Sequence, residues 1–145
     1  MGFVSPPLRL TEDQYRAIVA HCYDGLPDEA CGLLAGPLRD GEPTGLVTRV
    51  YLCRNADASA RTYTVDSRDL LHAMRDAQAA GTELIGVFHS HTHTDAYPSD
   101  TDVRQAVDPA WIYVLVSLKH GDPVLRSYRI RDGAIAETQV VVERR

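Results

Sequence analysis

A chain of 145 residues with 44% hydrophobic and 24% charged side chains has the size and balance of one folded domain with a sizeable core, which excludes disordered and repeat architectures. Its formal charge of −5, with no cluster of lysine or arginine, argues against a nucleic-acid groove. No apolar run is long enough to span a bilayer, and the opening Met-Gly-Phe-Val-Ser-Pro-Pro has neither the parts of a signal peptide nor a myristoylation pattern, so the expectation is a cytoplasmic protein with no membrane attachment.

Thr11-Glu12-Asp13-Gln14 has the form of a capping box, and apolar positions 15, 18, 19 and 22 follow at helical spacing before Gly25, which predicts a first amphipathic helix. Pro27-Asp28 turns the chain into a short apolar strand, Ala30 to Ala35. Residues 36–45, with two prolines and a glycine at each end, read as a hairpin loop returning into a strand from Val47 to Cys53. Another short strand is predicted over Arg61 to Val65. Asp66 or Ser67 caps a second helix through Ala80, with Leu70, Met74 and Ala77 on one face and Gly81 ending it. A buried strand over Glu83 to His89, a short helix from Ser99 to Val107, and strands over Trp111 to Ser117, Val124 to Ile130 and Ala134 to Val142 complete the pattern. Strands and helices interleave with no linker, so residues 1–145 read as a single mixed α/β domain. Cys22, Cys31 and Cys53 form an odd set without a CxxC pair and give neither a disulfide framework nor a thiolate metal site.

The chemistry is concentrated between Gly86 and Asp102. His89 and His91 end the apolar run Leu84 to Phe88; on a strand their imidazoles point the same way from α-carbons roughly 6.6 Å apart, close enough to share a metal. Ser99-Asp100-Thr101-Asp102 starts a helix from which Asp102 could swing back as a third ligand, a donor set that suits Zn²⁺. Each part has an ordinary reading: Ser99-x-x-Asp102 is also a capping box, and His-x-His is also two surface or core histidines. The conjunction of the two, at a fixed gap, favours a site. His91-x-His93 repeats the spacing, but His93 reads as an exposed loop residue, with contact to a substrate carboxylate as the other possibility.

His89-Ser90-His91, seven residues, then Ser99-x-x-Asp102 resembles the H-S/T-H-x7-S-x-x-D signature of the JAMM (MPN+) zinc metallopeptidases. Glu29, in Pro27-Asp28-Glu29-Ala30-Cys31-Gly32, is similar to the upstream glutamate that family requires. With Asn55-Ala56, Tyr63-x-x-Asp66 and Leu125 to Ile130, the chain resembles most the actinobacterial branch that releases cysteine from a ubiquitin-like sulfur-carrier protein. The resemblance implies a curved β-sheet flanked by helices, related to the cytidine-deaminase fold. It implies zinc on His89, His91 and Asp102, Glu29 as general base and then acid, Ser99 as oxyanion donor, and a sulfur-carrier protein as the substrate partner. The family more often has proline where this chain has Thr92.

Two other function classes are weaker. A zinc nucleobase deaminase calls for His-x-Glu and Pro-Cys-x-x-Cys, and the chain has neither. A metal-free interaction module would have lost ligands, whereas all five signature residues are intact. Within the peptidase reading, the alternatives are removal of a short C-terminal extension from a carrier and isopeptidase action on ubiquitin-like conjugates. Relatives that cut lysine linkages tend to carry longer insertions near the site. Here only eight residues separate Gly36 from Gly45 and seven separate His91 from Ser99, which favours a small leaving group.

Overall fold

The computed structural model describes residues 5–144; residues 1–4, part of the segment read for a signal peptide, and Arg145 lie outside the described residues. Strand β1 (Leu8–Thr11) runs straight into helix α1 (Glu12–Asp24), because Thr11 and Gln14 form the capping box: the Thr11 hydroxyl accepts from the Gln14 amide at 3.1 Å, and the Gln14 side chain accepts from the Thr11 amide at 2.9 Å. Strands β2 (Cys31–Gly36), β3 (Leu38–Arg39), β4 (Glu42–Pro43) and β5 (Arg49–Cys53) follow, with β3 and β4 closing a small hairpin across Asp40-Gly41. Helix α2 (Ser67–Ala79) precedes β6 (Glu83–His91), α3 (Asp100–Gln105), β7 (Ile112–Ser117), β8 (Val124–Arg131), β9 (Ala134–Thr138) and β10 (Val140–Glu143).

Six strands form one mixed sheet in the order β5-β2-β6-β7-β8-β9, in which only β6 and β7 run parallel. Neighbouring residues in the central strands face opposite cores. Leu34, Phe88 and Val114 pack with Ile18 and Cys22 of α1, while Leu33, Val87 and Tyr113 pack with Ala73 on the α2 side. The sheet is therefore buried on both faces, which explains why its central strands read as unbroken apolar runs. Gly86 lies at the centre because a β-carbon there would come within 2.4 Å of the Ile112 carbonyl oxygen. A bulge beside it, where Leu34 faces Gly86 but Ala35 faces Leu84, turns both Ile85 and Phe88 toward α1.

Several elements depart from the sequence-based expectation. No strand forms over residues 61–65. That segment makes one isolated bridge, Asn55 to Val65, and is held instead by the Asn55 side chain, which accepts from Thr64 N at 3.1 Å and donates to the Thr62 carbonyl at 3.0 Å. The expected strand over 134–142 breaks at Gln139: β9 pairs with β8, whereas β10 leaves the sheet and pairs in parallel with β1. The buried stripe of α2 is Leu70, Ala73 and Ala77, and Met74 is largely exposed. Helix α3 ends at Gln105, two residues early, leaving Val107 exposed.

Candidate metal centre

Strand β6 carries both histidines to its carboxyl end on the α2 face, continuing the alternation that starts at Val87. Their rings converge, with the two Nε2 atoms 3.3 Å apart. Asp102 closes the cluster from α3: its carboxylate oxygens lie 3.2 Å from His89 Nε2 and 3.0 Å from His91 Nε2. The capping box proposed for Ser99 and Asp102 is also present. The Ser99 hydroxyl accepts from Asp102 N at 3.1 Å, and the same Asp102 oxygen that faces His91 accepts from Ser99 N at 2.9 Å. Capping aims the carboxylate, so the two readings of that motif describe one arrangement.

The donor chemistry fits a cation. His91 Nδ1–H donates to the Asp95 carbonyl at 2.8 Å, which leaves the Nε2 lone pair pointing at Asp102 and His89. In that tautomer the contact between His91 and the carboxylate sets acceptor against acceptor, an arrangement that a metal ion relieves. One donor atom from each of His89, His91 and Asp102 lies within 4.8 Å of the others, and three protein donors with room for a fourth ligand is the pattern of a catalytic zinc site. Burial pulls His89 below the usual imidazole range, keeping it in the neutral form that ligates metals. With no ion bound, a second proton on Nε2 relieves the same conflict: burial opposes the charge on His91, but in the protonated ring the bonds to Asp102 and the Asp95 carbonyl outweigh it and lift that ring. Burial works against ionisation of Asp102 as well, yet its bonds to both histidines and to Ser99 N hold its carboxyl far below the usual range.

Glu29 reaches this cluster through strand pairing. Cys31 faces His89 in the β2–β6 ladder, and the chain stays paired one step further, Ser90 N donating to the Ala30 carbonyl at 2.9 Å and Ala30 N to the Ser90 hydroxyl at 2.8 Å. The next position sets Glu29 opposite His91, on the same face as the ligands. It is 6% exposed. Burial raises its carboxyl from an ordinary 4.5 to about 7; the field of His91 opposes that rise, and the carboxylates of Asp102 and Asp57 add to it. A carboxylate that exchanges protons near neutrality is suited to general base and acid work.

Three residues with no role in the sequence reading complete the site. Asn55 donates to the Glu29 carbonyl at 2.9 Å, Ser90 ties the start of β2 to β6, and Tyr63 stacks on His89 with ring centroids 4.2 Å apart and 19° between planes. Asn55 and Tyr63 lay in segments that resemble the family, which is the only signal the sequence offered for them. Tyr63 also lines an apolar groove of about 300 Å³ together with Leu33, Val65, Leu70, Val87 and Trp111. Thr92, where the family more often has proline, is buried and donates to the Ala60 carbonyl at 3.2 Å. His93 is exposed and stands apart from the ligand cluster. His21, by contrast, is structural: its Nε2 bridges the Cys31 and Cys53 carbonyls at 3.0 Å each. The three cysteines are free and buried, and burial pushes each thiol up to about 12.

A mixed α/β domain that presents two histidines, an aspartate and a buried glutamate in this geometry fits a metal-assisted hydrolase. Residues 11–131 match the family described as prokaryotic homologs of the JAB domain, and the chain belongs to that family. It is 44% identical over 138 residues to a protein of Mycobacterium tuberculosis named CysO-cysteine peptidase, covering 93% of this chain and 90% of that one. A desampylase of Haloferax volcanii is 30% identical over 118 residues, covering 78% and 82%. The solution structure of a Desulfitobacterium hafniense protein superposes with a TM-score of 0.84 at 36% identity, covering 94% and 93%.

Proposed function

We propose that this chain is a zinc-dependent peptidase that hydrolyses the amide bond between the C-terminal glycine of a ubiquitin-like sulfur-carrier protein and an attached cysteine, releasing the cysteine. The observation that carries this reading is the 44% identity to a CysO-cysteine peptidase over nearly the whole of both chains. The intact His89, His91, Asp102 and Glu29 constellation supports it. His89, His91 and Asp102 would hold the zinc, which would supply Lewis-acid chemistry and a water nucleophile usable at neutral pH. Glu29 takes a proton from the attacking water and delivers it to the cysteine nitrogen as the amide bond breaks. Ser99 spends an oxygen lone pair on the Asp102 amide, which leaves its hydroxyl proton free to donate to the oxyanion that forms at the scissile carbonyl. The apolar groove that shares Tyr63 with the site, through its stacking on His89, would give the carrier's C-terminal tail a bed.

Residues 1–145 act in this reading as one peptidase domain. We place it in the cytoplasm, where three unpaired cysteines are at home, and no described helix is long and apolar enough to cross a membrane. The test is mass spectrometry of carrier–cysteine, carrier–dipeptide and lysine-linked diubiquitin, each incubated with zinc-loaded enzyme. Loss of a cysteine-sized mass from the first, with the other two intact, is the expected result. Inertness toward carrier–cysteine with turnover of either other substrate would overturn the proposal.

A further inference from the structure

Release of a single amino acid poses a recognition problem that the metal ligands do not solve. The leaving cysteine carries a free carboxylate directly on the α-carbon of the scissile nitrogen, whereas an internal peptide bond has a neutral carbonyl there. The two charges of a bound zinc would be offset by the carboxylates of Asp102 and Glu29, and Asp57 adds a further negative field at Glu29. A further carboxylate is disfavoured at such a place unless a cation meets it.

Two basic side chains, Arg54 and Arg61, belong to the segment that forms this rim, and Arg61 is the one set between contacts to both ligand histidines' neighbourhoods. The segment between β5 and α2, residues 54–66, is folded around the site by four ties. The Ser59 carbonyl accepts from Glu29 N at 2.8 Å, Asn55 donates to the Glu29 carbonyl at 2.9 Å, the Ala60 carbonyl accepts from the Thr92 hydroxyl at 3.2 Å, and Tyr63 stacks on His89. Arg61 lies between the last two. Ala60 before it is bonded to the residue that follows His91, and Tyr63 beyond it covers His89. Its own backbone is fixed, Arg61 N donating to the Ser59 hydroxyl at 3.1 Å. Its side chain is exposed, and among the described residues no side chain or carbonyl pairs with its guanidinium. Arg9, Arg49 and Arg126, by contrast, are each paired with a carboxylate. Lys119 is engaged by Asp95.

We propose that Arg61 receives the α-carboxylate of the leaving cysteine and so makes the enzyme selective for a single C-terminal residue. This inference rests on the cysteine-releasing reading above. The guanidinium fork matches a carboxylate in two parallel hydrogen bonds. The ties at Ser59, Ala60 and Tyr63 fix the position of its backbone and leave the long side chain free to turn, which suits a group that must bind the carboxylate and then let the product go.

The test compares kcat/KM for carrier–cysteine and for carrier–cysteinamide, in which the carboxylate is replaced by a neutral amide, with the parent enzyme and with R61A and R61K. The parent prefers the carboxylate substrate by about 10- to 100-fold, the range expected for hydrogen bonds to a charged group. R61A brings that ratio close to unity, and R61K, which keeps the charge without the fork, falls between. Zinc content and Tm of both variants match the parent. A parent that shows no preference, or an R61A that keeps the full preference, overturns the proposal and leaves the cysteine-releasing reading standing. A parent that cleaves neither substrate defeats that reading, and the role of Arg61 with it.

Discussion

His89, His91 and Asp102 come from fourteen consecutive residues, whereas Glu29 arrives from sixty residues upstream through the pairing of β2 with β6. The two halves of the site differ in physics as well as in origin. The ligand half is organised locally, by strand alternation that aligns two imidazoles and a capping box that aims one carboxylate, and its acid is held far below the usual range by the partners it faces. The glutamate half is organised by tertiary structure. Ser90, Asn55 and the Ser59 carbonyl grip the backbone around Glu29, while burial lifts its carboxyl to about 7. On the proposed roles, a binding group is thus made comfortable when charged, and a proton carrier is left close to balance between its two forms.

The comparison breaks most completely at the ligands. H89A and D102A lose the metal and with it all hydrolysis, measured as zinc content by elemental analysis beside cysteine release. Full zinc in either variant would mean that the metal sits elsewhere. Ser99 belongs to both chemistry and local structure, so S99A is expected to lower kcat by about 10²–10³ through the missing oxyanion donor. It also costs about 1 kcal/mol of stability through the lost N-cap, read as a drop in Tm. A fall in Tm with kcat unchanged would reduce Ser99 to a cap.

The glutamate half is sharpened by its pH dependence in the metal-free protein. The folded-state value of about 7 lies above the ordinary 4.5, so between these pH values the folded protein keeps a proton that the unfolded chain has released. Glu29 therefore withdraws stability as pH rises through this window. E29Q, which cannot ionise, is expected to be more stable than the parent above pH 7 by about 2–3 kcal/mol, with the difference closing toward pH 4.5. Denaturant melts at several pH values measure it, and parallel curves for the two proteins would contradict it. The smallest effect is expected at His93: H93A keeps its zinc and shifts stability by no more than about 0.5 kcal/mol. Loss of zinc there would show that the wrong pair of histidines was chosen.

The same division explains what could be read from the sequence. His89, His91 and Asp102 were legible because their geometry follows from strand and helix periodicity within one short stretch. Glu29 was legible only through the family resemblance, since no spacing rule spans the sixty residues to the histidines. Asn55, Ser90 and Tyr63 carried no local signal of their roles, which depend on the segment over 54–66 folding back onto β2 and β6. In the fold, the central strands and both long helices were predicted from apolar runs and caps. The pairing of β1 with β10 was not, because Leu8 finds Val140 across nearly the whole chain and the break at Gln139 leaves the apolar pattern unchanged. The choice of Ala73 over Met74 on α2 is likewise made by closeness to the sheet, which favours a small side chain that hydropathy ranks below a larger one.

The separation of the two halves is tested most directly by E29Q, with zinc content and cysteine release from carrier–cysteine measured on the same preparation. The account predicts zinc at the parent's level, one ion per chain, with kcat lower by about 10²–10⁴, because the amide keeps the shape of the side chain but cannot take the water's proton. Turnover at the parent rate, with zinc bound, would contradict it and return Glu29 to the status of a buried acid at the start of a strand.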